Sequence, residues 1–123
     1  MGAAETIRDY YGALSDGEPL GPYFADDDAA VKFGISEALR GHDEIVAALR
    51  EQTETTTDWA VESRDLVVGE RDGWAWFGDD VFMAWTDTGR DVRHEFDTRW
   101  SGALERRAGW RFVAMHVSTP GEL

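Results

Sequence analysis

The chain contains no cysteine, and of its twelve basic residues only Lys32 is a lysine. Without thiols it forms no disulfides and no thiolate-bound metal site. Bases are scarce altogether: 12 Lys and Arg stand against 25 Asp and Glu, a formal net charge of −13. Such a surface does not suit the nucleic-acid backbone, which is held by a surplus of Lys and Arg. No apolar run approaches the roughly 20 residues of a membrane-spanning helix, and no basic segment precedes an apolar stretch at the N-terminus. The expectation is a soluble, cytoplasmic protein with neither nucleic acid nor membrane as partner. Gly-rich phosphate loops, nucleophile elbows and paired Cys/His motifs are also missing, and His42, His94 and His116 show no ligand spacing. No metal and no cofactor are expected.

What is present is apolar bulk. At 123 residues, with 42% hydrophobic residues and six Trp, the chain suffices for one compact domain, 1–123, and is too short for two. The acid surplus, combined with Arg in place of Lys, resembles acidic proteins of salt-loving archaea. There, negative surfaces keep chains soluble while salt screens their self-repulsion, so greater stability at molar than at low salt is expected.

Ala3, Ile7, Tyr10, Tyr11 and Leu14 recur at helical spacing and predict a helix over 3–14, with Gly17 past its end. A second helical piece is expected over 19–25, led by Pro22. The alternation of Val31, Phe33 and Ile35 predicts a strand over 29–36. A third helix is expected over 42–52, with Ile45, Ala48 and Leu49 on its buried stripe. Thereafter three turn signals, 70–73, 87–89 and 106–109, separate runs of about a dozen residues and predict a four-strand antiparallel meander. Phase changes between Val61 and Leu66, and at Gly78-Asp79-Asp80, predict a bulge at each place. The fold class is α+β: a curved antiparallel sheet, a half-cone or cystatin-like roll, with three helices on its concave face enclosing a pocket.

The last strand alternates so that Trp110, Phe112, Ala114, His116 and Ser118 share one face, while Arg111, Val113, Met115 and Val117 share the other. Both faces are largely apolar, which predicts cover on each side.

Three segments carry a family resemblance: Tyr10-Tyr11-Gly12-Ala13-Leu14-Ser15-Asp16-Gly17-Glu18, Tyr23-Phe24-Ala25-Asp26-Asp27, and Gly109 to Ser118. Through them the chain resembles the SnoaL-like and ketosteroid-isomerase-like domains of the nuclear-transport-factor-2-like superfamily. The resemblance implies that Tyr10 is an oxyanion donor, since the isomerases place a Tyr there. It puts the position of their general base at Phe33, which cannot take a proton. It offers Ser101 or Asp97 for their late-strand acid. It also implies a cavity face comprising Phe33, Asp97, Arg99, Ser101, Val113, Met115 and Val117.

The strand pattern alone disagrees about Asp97. Phe96, Trp100 and Leu104 form the apolar face of that strand, and a charged ladder on a solvated face is the plainer reading of Glu95, Asp97 and Arg99. Trp76 and Trp85, mid-meander, are the aromatic candidates for the pocket. Trp110, Phe112 and His116 are left uncovered, which predicts a homodimer built sheet against sheet. The expected function is binding of a small apolar or carbonyl-containing molecule, with acid/base chemistry of isomerase, cyclase or hydrolase type through Tyr10 and Asp97. The alternative is a noncatalytic dimerisation or ligand-sensing module.

Overall fold

A computed structural model describes residues 2–121. Helix α1 spans Ala3–Asp16, a single 3-10 turn spans Gly21–Tyr23, and helix α2 spans His42–Thr55. The strands are β1 (Val31–Phe33), β2 (Ala38–Arg40), β3 (Thr56–Ser63), β4 (Val67–Arg71), β5 (Trp74–Asp87), β6 (Val92–Arg106) and β7 (Trp110–Ser118). They form one curved, unclosed sheet in the order β2-β1-β7-β6-β5-β3, with β4 also paired to β5. The α+β architecture expected from the pattern is therefore present, with two helices and a turn instead of three helices. No helix among the described residues is long and apolar enough to cross a membrane.

Helix α1 forms where its pattern predicts because Ala3, Ile7, Tyr10, Tyr11 and Leu14 put one apolar stripe on the sheet. Its first N–H groups lack helical partners. The Glu70 carboxylate on β4 accepts from the Ala3 N–H at 3.1 Å and complements the positive end of the helix dipole. Helix α2 buries Ile45 and Leu49 and packs over β1, β2 and β3. Between helices and sheet lies an aromatic core. Phe112, fully buried, sits 5.2 Å from the Tyr10 ring, 5.5 Å from Phe24 and 5.8 Å from Phe77.

The sheet departs from expectation in five ways. It is mixed, because β1 runs parallel to β7. The expected strand over 29–36 is a short hairpin, β1 turning at Gly34–Glu37 into β2, with Lys32 opposite Leu39. The first expected bulge is a strand break: β3 pairs with the far half of β5 and β4 with its near half, and the register shift lies earlier, between Thr57 and Ala60. The second is no bulge at all, since β5 pairs with β6 without a shift from Trp74 to Asp87. What breaks the pattern there is a buried carboxylate. Asp79 faces the helices, 6% exposed, and accepts hydrogen bonds from the Tyr11 hydroxyl (2.9 Å), the Ser63 hydroxyl (2.6 Å) and the Asp65 N–H (2.9 Å). Three donors make the burial of that charge tolerable.

A bulge exists where none was expected, in β7. Ala103 pairs with Ala114 but Leu104 with Phe112, so Val113 is the extra residue. A Cβ on Gly102 of β6 would meet the Ala114 carbonyl at 2.2 Å; only glycine leaves room for the bulged strand there. The insertion reverses parity along β7. Trp110 and Phe112 face the helices before it, Met115 and Val117 after it, and all four are buried. Only His116 of the three expected interface residues remains exposed on the outer face. The expectation that Trp110 and Phe112 lie uncovered is thus corrected: they belong to the core of this one chain.

Candidate functional site

A cavity of about 490 Å³ opens between α1, α2 and the inner face of the sheet. Its inner end is polar, its wall aromatic and its mouth charged.

Tyr10, on α1, forms part of the inner end. Its ring is clamped at near right angles by those of Tyr23, Trp100 and Phe112, at 5.5, 6.2 and 5.2 Å. Its hydroxyl bonds to no other described residue, and the side chain lines the cavity. Burial, and then the negative charge of Glu37, push its pKa well above the ordinary tyrosine value, so the hydroxyl is a neutral donor at every physiological pH.

The β1–β2 hairpin supplies the other polar groups. Lys32 faces inward between outward-facing Val31 and Phe33, and its Nζ donates to Glu37 Oε1. The lysine is buried, whereas Glu37 is half-buried. Both line the cavity. The tight turn between them, closed by the Gly34 N–H to the Glu37 carbonyl at 2.9 Å, folds the Glu37 side chain over Gly34. There a Cβ would lie 2.8 Å from Glu37 Cγ, so glycine is what lets the carboxylate reach inward.

The wall is a slab of rings. Trp59 stacks on Trp85 at 4.8 Å and 17°, and Trp85 packs against Phe96 at 5.5 Å and His94 at 5.2 Å. The Trp59 indole donates to Thr56 Oγ1 at 2.8 Å and the Trp100 indole to Thr98 Oγ1 at 2.9 Å, so these N–H groups are already satisfied. At the mouth, Asp87 receives the Arg90 N–H and its guanidinium, which together hold its carboxyl below the usual range.

A model of the SnoaL-like domain matches residues 4–122. The chain belongs to the SnoaL-like family. No curated protein matches it by sequence. Solved structures share its fold at low identity. A nuclear transport factor 2-like superfamily protein from Salmonella enterica superposes with a TM-score of 0.83 at 18% identity, covering 96% of this chain and 88% of that one. A Novosphingobium aromaticivorans protein, named by inference a scytalone dehydratase, gives 0.82 at 13%, covering 96% and 81%. A ketosteroid isomerase-like protein from Erwinia carotovora gives 0.78 at 19%, covering 97% and 94%.

This SnoaL-like domain brings together only part of the site expected from its sequence. Tyr10, Trp85 and Val117 line the cavity, and Met115 lies buried beside it in the core. Asp97, Arg99 and Ser101 are exposed on the outer face, because β6 turns Phe96, Thr98 and Trp100 inward. Asp97 pairs there with Arg64 at 2.9 Å, beyond reach of the cavity. The conflict over β6 thus resolves in favour of its hydrophobic pattern. Phe33 also faces outward, 6.3 Å from the His116 ring and beneath Arg40. Trp76 is exposed on the outer face, over Gly69 and beside Arg71, and Val113 is spent on the bulge. The residues missed were Lys32, Glu37 and the His94 side of the wall. One signal was available for Lys32: it is the chain's single lysine, set between two apolar residues.

The buried phenols have a measurable consequence. Burial raises the pKa of Tyr10, and burial followed by its bond to Asp79 raises that of Tyr11. A phenol whose folded pKa exceeds its unfolded value of about 10 contributes stability below that pH, lost as pH rises towards the folded value. Denaturant melts should therefore match at about pH 7 and 9 and weaken above about pH 10, with phenolate absorbance from these two tyrosines appearing only on unfolding. Free titration of all three tyrosines in the folded state would refute their burial.

Proposed function

We propose that this SnoaL-like domain binds a flat, largely apolar carbonyl compound and moves a proton on it, with Tyr10 as donor to the carbonyl oxygen and Glu37 as the base. The carrying observation is the Tyr10 hydroxyl, without a hydrogen-bond partner among the described residues, on a side chain that lines the same cavity as Glu37. A cavity of this size suits a small molecule of a few fused rings, and the stacked Trp59–Trp85 wall offers a planar apolar surface. The Lys32 Nζ donates to Glu37 Oε1, which fixes the carboxylate at the cavity wall.

The chemistry follows from placement. The Tyr10 O–H donates to the carbonyl oxygen, a bond that strengthens as enolate charge develops. Glu37 removes the proton from the adjacent carbon and can return it to another carbon of the same compound. Isomerisation and dehydration both use such steps, in keeping with the names of two structural neighbours, a ketosteroid isomerase-like protein and an inferred dehydratase.

A bicyclic aromatic ketone such as 2-tetralone tests the binding. Saturable quenching of tryptophan fluorescence is expected, weakened about tenfold by Tyr10→Phe, the worth of one buried hydrogen bond of about 1.4 kcal/mol. Asp97→Asn should leave it unchanged. Absence of quenching, or sensitivity to Asp97 and not Tyr10, would refute the site. Self-association through the outer face remains the second element of the reading, favoured by exposed Trp74, Trp76 and Val67 there. Sedimentation of Trp76→Asp, expected to give monomers, tests it.

A further inference from the structure

We propose that Lys32 is a nucleophile that joins aldehydes and unhindered ketones as an imine. This deepens the proposed function and rests on the same cavity being the binding site. Three observations converge. Lys32 is the only lysine in a chain whose other eleven bases are arginine. Its side chain, 8% exposed, points into the cavity from a strand whose other two residues face out. Its Nζ is hydrogen-bonded to Glu37, which lines the same cavity.

A purely structural partner for Glu37 would be better served by arginine, whose planar fork pairs with a carboxylate through two bonds and which the chain uses everywhere else. What a guanidinium cannot do is give up a proton and attack carbon. An amine can, provided a base within reach takes the proton. Glu37 is that base.

The step balances with no further reactant. Glu37 takes a proton from the Lys32 ammonium, and the freed Nζ lone pair forms a bond to the carbonyl carbon as the C=O π pair moves to oxygen. Glu37 passes its proton to that oxygen, giving a carbinolamine. Glu37 then takes a second proton from nitrogen and delivers it to the hydroxyl, which leaves as water while the nitrogen lone pair forms the C=N bond. Two N–H protons end on water, and the protonated imine keeps the single positive charge that the ammonium had. The ion pair with Glu37 therefore survives, and Tyr10, lining the same cavity, can donate to the oxygen throughout. In the imine the adjacent C–H is more acidic than in the free ketone, which couples the covalent step to proton removal by Glu37.

The single lysine makes the test clean. The intact protein is incubated with 2-tetralone and, separately, with benzaldehyde, with sodium cyanoborohydride present, and the product is read by intact mass and peptide mapping. One reduced adduct per chain at Lys32 is expected, formed faster than on the α-amine and lost when the chain is denatured before labelling. Lys32→Arg should abolish the adduct, with circular dichroism showing that the variant is folded. Glu37→Gln should slow adduct formation at least about tenfold. Saturable quenching with no adduct at Lys32 overturns this inference and leaves the proposed function standing. An adduct that forms no faster than on the α-amine, or at a rate indifferent to Glu37→Gln, also overturns it. No saturable quenching by the wild-type chain removes both.

Discussion

Trp110→Asp is expected to abolish folding. The Trp110 side chain is 3% exposed within a single chain, part of the core cluster, with the Arg106 guanidinium over its ring at 5.2 Å. Truncating a buried Trp costs about 3–5 kcal/mol, and burying a carboxylate among the apolar side chains of the core adds to that. Domains of this size are stable by only about 5–15 kcal/mol, so the variant lies at or below the folding threshold. Circular dichroism and sedimentation should report an unfolded or aggregating chain. Had Trp110 lain on an uncovered sheet face, the same substitution would have given folded monomers, so one experiment decides the orientation of β7. Trp76→Asp is the contrasting variant. Trp76 is 46% exposed on the outer face, and the change should leave the fold intact.

The second large effect is on proton transfer. In deuterated buffer the wild-type chain should exchange the acidic C–H protons of 2-tetralone, and Glu37→Gln should lower the rate by about 10² to 10⁴-fold, the usual worth of a positioned general base. Glutamine keeps the shape and can still accept from Lys32, so the loss reports basicity. Binding, read by fluorescence, should fall far less than exchange. Tyr10→Phe should lower the rate by about 10² or more, since a donor to the developing oxyanion matters more in the transition state than in the ground state. Asp97→Asn should exchange at the wild-type rate, because Asp97 is paired with Arg64 on the opposite face. If Asp97→Asn loses exchange and Glu37→Gln does not, the site is misplaced.

The fold was legible where local chemistry and tertiary packing agree. The stripe of α1 faces the sheet as its spacing implies, and the Asp72-Gly73 and Ala108-Gly109 turns adopt the positive φ that close the β4–β5 and β6–β7 hairpins. Parity counting failed where the strand is not a uniform pleat. One extra residue at Val113 turned the face containing Trp110 and Phe112 from outside to inside, and its sign in the sequence lay on the neighbouring strand, at Gly102. The opposite error occurred at Asp79. A polar residue on an apolar face looked like a phase change, but the strand is regular and the carboxylate is satisfied by Tyr11, Ser63 and Asp65, the first of them 68 residues away in sequence.

The site was half legible for the same reasons. Tyr10 follows from the family resemblance and from α1, both continuous in sequence. Lys32 and Glu37 depend on a hairpin of two three-residue strands, too short to show a period, and on which of Lys32 and Phe33 faces inward. The parallel pairing of β1 with β7 decides that, setting Phe33 beside outward His116. An inward lysine in a strand that reads as alternating apolar and polar is easily taken for a solvated one.

The most direct test of the account is a crystal structure of the Glu37→Gln chain with 2-tetralone bound. The ligand is expected between the helices and the sheet, its rings against Trp85 and its carbonyl carbon at the end formed by Tyr10 and Lys32. A ligand on the outer face near Asp97 and Arg99, or one in the cavity with its carbonyl turned towards Asp87 and Arg90 at the mouth, would contradict it.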